Sequence, residues 1–434
     1  MILSILLSCQ KNEIIELPKA EQLPEVPTEI EDRDIILVLL RGLRADMSTN
    51  TAATDVFIQA LGQKPQTHYT SAYTQSTSDF VSMSTILTGM YPSAIPMCGL
   101  IRAGSSHISL ADQPWCARIP KDRYTLPTVL SIYGYRTHLI TLDTYWHSLV
   151  TEGFQTHDAI HNKDLRTVTA LAENWWQAAS DRPRFLTLVT DSRLIKDSVR
   201  TDESQSHEVY LDNARKIGQS LKSLFSLVSN DRPVSIYFTS LNGVNLMERD
   251  GFDDEPVPDG ESDVLLERTL HVPLLVYKDG TSGEDNREDR IVENLDIFPS
   301  IVDEIKGKSP ANIQGEPLTN TAADPVAYAE FGDMFALRRQ EHLLVFRGFM
   351  HDHTSLDPDL TTRLNDYRPP LFTLSKVEVD PLQKQNLRDS EYSKFQQLYK
   401  EMKDFREGPA APPVSTFTPK QLWDLRMTPA QGYW

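Results

Sequence analysis

Two segments constrain this chain more than any other: DIILVLLRGLRAD at Asp34 to Asp46 and IYFTSLNGVNL at Ile236 to Leu246. Each begins as an apolar run and breaks abruptly into a polar turn. That is the pattern of a buried parallel strand, which delivers residues to the carboxyl edge of an α/β sheet, where ligands bind. Elsewhere, helical runs alternate with strand-like ones: ALAENWWQAAS precedes FLTLVT, and DNARKIGQSLKSLFSLV precedes VSIYFTS. The alternation predicts a mostly parallel sheet covered by helices on both faces. Trp175 and Trp176 fall on such a helix and are expected to pack in the core. His138 and His271 lie in apolar strand contexts and read as satisfied core histidines. No internal repeat is present.

The pattern changes after about Asn320. FALRRQEHLLVFRGFM, the loop HDHTSLDPDL and then PLFTLSKVEV predict two or more antiparallel strands. A helix from Ser390 to about Phe405 follows, with Phe395, Leu398 and Met402 at helical spacing. The organisation expected is therefore an acidic Pro/Glu tether over 10–33, an α/β core over 34–320, and a small α+β subdomain with its tail over 321–434. REGPAAPPVSTF reads as a linker within that last part. The charged run DGTSGEDNREDR reads as a solvated surface excursion.

The ordered blocks resemble those of the sulfatases, in the alkaline phosphatase superfamily. The two strand segments are similar to the family's VDTLRAD and FTSDHGE. TQSTSDFVSMSTILTGMYP at Thr74 to Pro92 is similar to CxPSRxSLLTGxYP, and TLPTVLSIYGYRTHLI at Thr125 to Ile140 to TLAxxLxxxGYxT. LLERTLHVPLLVYKDG resembles LYxExxxVPLLVxxPG, and NLDIFPSIVDEIKG resembles DLxPTLLDLAG. PLFTLSKVEVDPLQKQNL resembles LYDLxxDPxExxNL. The resemblance covers nearly everything from about Asp34 onward, and implies a mostly parallel sheet sandwiched by helices with a small C-terminal α+β subdomain.

The same alignment removes the chemistry. Arg41 stands where the family has a metal-binding aspartate, and Leu241 and Asn242 stand where it has an aspartate and a histidine. Asp79 holds the position of the formylglycine precursor, Met83 that of the motif's arginine, and Ser78 is one residue out of register. Calcium needs six or more oxygen ligands, mostly carboxylates. A guanidinium at Arg41 repels a cation, and Leu241 has no lone pair. Asp79 is not oxidisable to formylglycine, although a carboxylate can in principle form an acyl intermediate. Three readings of Arg41 stay open: it pairs with Asp79 and holds the site shut, it points to solvent from a drifted loop, or it binds the sulfate or carboxylate of a glycan. His351, Asp352 and His353 are the densest cluster of ligand types, in a polar loop away from the expected sheet edge. No GxSxG elbow is present.

The 434 residues with 40% hydrophobic content suit a soluble globular chain with a sizeable core. A formal net charge of −18 argues against nucleic acid, whose phosphates would be repelled, and disfavours a polybasic membrane patch. MILSILLSCQKNE is too short to span a bilayer, which takes ~20 apolar residues. Leu6, Leu7, Ser8 and Cys9 fit a bacterial lipobox with Cys9 acylated, and Gln10 favours the outer membrane. The positively charged first region of a secretory signal is missing, which points to a start upstream; a chance apolar N-terminus gives the same pattern. Cys98 and Cys116 then remain as a pair suited to an oxidising periplasm, either bridged or as two free thiols. A bridge would contribute about 3 kcal/mol for a loop of this size.

The sequence thus predicts a sulfatase-like pseudoenzyme without a cofactor: a lipid-anchored envelope protein, facing periplasm or cell surface, that binds an envelope protein or an anionic glycan. The alternative is a divergent sulfate or phosphate ester hydrolase using Ser78 and calcium. It requires carboxylates converging on Ser78 or Asp79, and Asp46 and Asp143 are the candidates nearest to strand ends.

Overall fold

The computed structural model describes residues 29–45, 52–95, 119, 124–142, 150–160, 165–178, 181–190, 198, 203–227, 232–246, 265–279, 283–321, 324–331, 334–347 and 372–407. Cys9, Cys98, Cys116, Asp46, Asp143, and the cluster His351, Asp352 and His353 lie outside these residues.

Eight strands form the large sheet: β1 (Asp34–Leu40), β2 (Thr67–Tyr73), β3 (Arg136–Thr141), β4 (Thr156–Ala159), β5 (Arg184–Val189), β6 (Val234–Ser240), β7 (His271–Lys278) and β8 (Asn286–Glu293). Their spatial order is β4-β3-β5-β1-β6-β7-β2-β8. Seven run in one direction, and β7 is antiparallel to both of its neighbours. β1 and β6 lie side by side at the centre, in register from Asp34 with Val234 to Leu40 with Ser240.

The continuous apolar character of β1 has a direct structural cause. Ile35, Leu37 and Leu39 join one core cluster, while Ile36, Val38 and Leu40 join the other on the opposite face. Full burial of each such side chain stabilises the fold by about 1.5–3 kcal/mol. Helices α1 (Ala53–Leu61), Leu165–Gln177 and Glu203–Leu221 cover the second face. The first face is covered by α2 (Asp79–Thr88), α3 (Leu126–Ile132) and Ile297–Glu304. The mixed, mostly parallel sheet is therefore sandwiched as expected. Trp176 is buried, and Trp175 stacks on His138 with the Arg136 guanidinium over its ring. His138 is held by Thr156 at 2.8 Å, and His271 Nε2 lies 2.7 Å from the carbonyl of Thr70.

A second sheet of four antiparallel strands follows: β9 (Val326–Phe331), β10 (Met334–Arg339), β11 (His342–Arg347) and β12 (Phe372–Lys376), in the order β12-β11-β10-β9. Its side chains alternate between two clusters. Ala336, Leu343 and Val345 pack toward the large sheet with Tyr73 and Ile291; Leu337, Leu344 and Phe346 pack with Leu398 and Met402. Those last two belong to the C-terminal helix Tyr392–Glu407, which begins two residues later than the spacing predicts.

One expectation needs correcting. The charged run after Asp279 is not wholly a surface excursion, because Asn286–Glu293 is β8, the edge strand of the large sheet. Its first half is largely exposed and charged, which discourages edge-to-edge association, and only Ile291 to Glu293 turn inward.

Close helix packing rests on Gly218, where an added Cβ would meet the carbonyl oxygen of Phe57 at 2.7 Å and Ala60 at 2.8 Å. Gly218→Val should separate helix Glu203–Leu221 from α1, destabilising the fold by about 1–3 kcal/mol. Chemical denaturation checks this, and an unchanged midpoint would mean that the two helices do not meet at this point.

Candidate functional site

The register of β1 and β6 sets the site. Because Leu40 pairs with Ser240, Arg41 and Leu241 emerge side by side at the carboxyl edge. β2 runs parallel to both, so the turn after Tyr73 and the start of α2 arrive at that same edge. The positions singled out in the sequence thus converge: Arg41, Leu241 and Asn242 with Ser78, Asp79 and Met83.

Arg41 turns inward. Its Nε donates to Asp79 Oδ2 at 2.5 Å and its Nη2 meets the same oxygen. Arg41 is 6% exposed and Asp79 8%. The buried carboxylate also sits in the first turn of α2, where the partial positive charge of the helix end favours an anion. A guanidinium and a carboxylate balance each other in a place that would tolerate neither alone. Of the three readings of Arg41, the inward pair with Asp79 describes this geometry, and a solvent-pointing side chain does not.

The other positions are tied down by different means. Leu241 is fully buried in the same apolar cluster as Met83, Ile86 and Leu87. Asn242 uses both ends of its amide: Oδ1 accepts from Gly42 N at 3.1 Å, and Nδ2 donates to the carbonyl of Thr77 at 2.9 Å. It thereby joins the turn after β1 to the loop before α2. Gly42 adopts φ 85°, a left-handed conformation that costs glycine little. Thr74 Oγ1 donates to the carbonyl of Leu241 at 2.7 Å, and Ser82 Oγ to that of Ser76 at 2.8 Å. Ser240 Oγ accepts from Leu43 N at 3.0 Å. Ser78 is half-buried at the N-cap of α2, with no capping bond from its side chain.

These residues do not fit the divalent cation implied by the resemblance. A hard cation needs several converging oxygens, whereas the described residues of this edge offer a guanidinium paired with one carboxylate, a leucine and an amide with both ends engaged. Among the described residues, no group of three or more His, Cys, Asp or Glu side chains could hold a metal ion.

Sequence reasoning missed a second polar cluster at the same edge. Glu293 ends β8, and Asp296 lies in the turn beyond it. Burial, reinforced by the neighbouring Asp296 carboxyl, pushes Glu293 up in pKa; burial likewise raises Asp296. Gln75 connects this cluster to the first, donating from Nε2 to Glu293 Oε1 at 3.4 Å and accepting from Leu295 N at 3.2 Å. The available signal was IVENLDIF, another apolar strand end that breaks into a polar turn.

A family model described as Sulfatase matches residues 33–306. No curated protein matches the chain. Among solved structures, one described as Ps i-CgsB in complex with k-i-k-neocarrahexaose is 15% identical, covers 92% of this chain and 98% of its own, and gives a TM-score of 0.58. Another, in complex with its substrate D-glucosamine-2-N,6-O-disulfate, is 11% identical over 88% of this chain and 100% of its own, with a TM-score of 0.59. A putative sulfatase from Bacteroides thetaiotaomicron VPI-5482 is 12% identical over 87% of this chain and 92% of its own, with a TM-score of 0.60. At these identities the likeness is one of fold.

The buried pair makes a measurable claim. Arg41→Met and Asp79→Asn should each destabilise the protein by about 3–5 kcal/mol by stranding the partner charge or its hydrogen bonds. The double variant should lose less than the sum, with a coupling of about 1–3 kcal/mol in urea unfolding. Strict additivity would show that the two side chains do not interact.

Proposed function

Because this chain belongs to the sulfatase family, we propose that it is a sulfatase-like pseudoenzyme, a binding module that keeps the family's sheet edge without its ester chemistry. The observation that carries this reading is the Arg41–Asp79 ion pair at the positions of a metal ligand and the nucleophile precursor. Ester hydrolysis of this kind needs a cation to neutralise the developing oxyanion charge and to activate the nucleophile. Here the positive charge is a fixed guanidinium already paired with a carboxylate. That carboxylate, Asp79, is held by its partner instead of facing a substrate. Fold does not supply function where the site residues have changed.

The proposed partner is an anionic glycan or an envelope protein. The ligands named for the neighbouring structures, a neocarrahexaose and a disulfated glucosamine, favour the glycan. The formal charge of −18 opposes any diffuse attraction of polyanions, so such a ligand must be held by local contacts. Acylation at Cys9 would place the module on the outer membrane of a bacterial cell, with the 10–33 tether holding it off the surface.

The competing reading, a divergent hydrolase acting through Ser78 with calcium, is tested alongside. Aryl sulfate, aryl phosphate and sulfated oligosaccharides should give no turnover above buffer, while an array of sulfated and carboxylated glycans should retain the protein. Turnover abolished by Ser78→Ala would overturn the pseudoenzyme reading. Absence of retention on every glycan would direct the search for a partner to envelope proteins.

Restoring the family's residues should restore affinity for the ion. Arg41→Asp combined with Leu241→Asp and Asn242→His should raise calcium affinity by an order of magnitude or more in titration calorimetry, since two carboxylates and an imidazole replace a cation, an alkyl group and an amide. A folded triple variant with no gain in affinity would show that these positions are not the site.

A further inference from the structure

We propose that Asn242–Gly243 is a modification site kept silent by the closed sheet edge: the side-chain amide of Asn242 is inert while the turn after β6 stays fastened, and converts to a carboxylate when that turn opens. This lability does not depend on the binding-module reading and holds whatever the edge binds.

An asparagine followed by glycine is the pair most prone to lose its side-chain amide, because the bare Cα of glycine lets the next backbone nitrogen reach the asparagine Cγ. Asn242–Gly243 is the one such pair among the 434 residues. The edge has a structural need for each member. A Cβ added at Gly243 would lie 2.0 Å from the carbonyl oxygen of Arg268, well inside contact distance. Asn242 supplies both a donor and an acceptor to join Thr77 to Gly42, which an ionised aspartate or an alkyl side chain cannot do. The packing of this turn therefore retains a chemically labile pair beside Arg41 and Asp79.

Conversion has a defined course. Gly243 N gives up its proton to solvent and attacks Asn242 Cγ; the new C–N bond closes a cyclic imide, and Nδ2 takes up a proton and leaves as ammonia. Water then adds to one of the two imide carbonyls and breaks one C–N bond. The product is aspartate or, with the main chain rerouted through the side chain, isoaspartate. In the closed edge every group this course needs is engaged elsewhere. Gly243 N donates to the carbonyl of Thr269 at 2.9 Å. Asn242 Nδ2 donates to the carbonyl of Thr77 at 2.9 Å, and Oδ1 accepts from Gly42 N at 3.1 Å. The main-chain carbonyl of Asn242 is held as well, accepting from Ser240 Oγ at 2.8 Å. With Asn242 only 8% exposed, water and base have little access. Conversion must wait for a local opening that breaks these bonds together, and its rate tracks the population of the opened form.

The change runs one way. A carboxylate in place of the amide has no donor for the Thr77 carbonyl and meets it acceptor to acceptor, which releases the loop two residues before Asp79. It also brings a second negative charge to an edge where Arg41 already neutralises Asp79. The isoaspartyl form adds a methylene to the main chain just beyond β6.

The test is peptide mapping by mass spectrometry of the full chain held at mildly alkaline pH, once in native buffer and once in urea, with isoaspartate counted by enzymatic methylation. The peptide carrying Asn242 should convert in urea, and in native buffer more slowly by an order of magnitude or more. Arg41→Met frees Asp79 and so loosens the loop that Asn242 fastens; in native buffer it should convert faster than wild type and more slowly than the urea sample. Equal rates in native buffer and urea would overturn the protection, and no conversion in urea would overturn the lability. A folded Arg41→Met converting at the wild-type rate would overturn the link to opening of the edge. Should Arg41→Met fail to fold, Thr74→Val takes its place, since it removes the hydroxyl that holds the Leu241 carbonyl at 2.7 Å, with the same result expected and the same result contradicting it.

Discussion

The register of β1 against β6 is the constraint on which the rest of this structure depends. With Leu40 opposite Ser240, the residue that follows each strand must appear at the same point of the carboxyl edge, whatever its chemistry. The pairing is fixed by burial on both faces, since a one-residue slip would exchange every side chain between two well-packed cores. Substitutions at the edge are therefore not free to drift away from one another. A positive charge at Arg41 must be balanced nearby, and Asp79, delivered by β2 and the start of α2, balances it.

That constraint explains why these unlike residues stay together at one edge. Under the proposed reading, one guanidinium and one carboxylate meet here the need for neutrality that a bound cation and its carboxylates would otherwise meet. The remaining space is closed by Leu241 and Met83 in the apolar core and by Asn242 between two loops. The second cluster follows the same logic at another strand end. There hydrogen-bond donors on Tyr91, Tyr328 and Gln75, rather than a guanidinium, meet the buried Glu293 carboxyl.

Much of the fold was legible because it follows from burial. Strands covered on both faces read as continuous apolar runs, which is why β1 and β6 stood out, and the helix carrying Leu398 and Met402 showed its buried stripe. Direction was not legible: HVPLLVYK is as apolar as its neighbours, and nothing in it announces that β7 runs antiparallel. Half of β8 was hidden by its own charges, because an edge strand exposes the residues that suggest a loop. At the site, resemblance located Arg41 and Asp79 and allowed their pairing among other outcomes. The amide bridge of Asn242 depends on where two loops meet, which spacing alone does not give. Glu293 and Asp296 were missed because acidic residues are ordinarily solvated, and the burial of Glu293 comes with β9 of the small sheet packing beside it.

The central claim is that the sheet edge carries its own internal counter-ion and that its described residues offer no place for a divalent cation. Elemental analysis of the folded, tag-free protein after dialysis against calcium tests it most directly. The account predicts a divalent metal content near zero per chain. A ratio near one would contradict it, and would mean that ligands other than Arg41, Leu241 and Asn242 hold an ion at this edge.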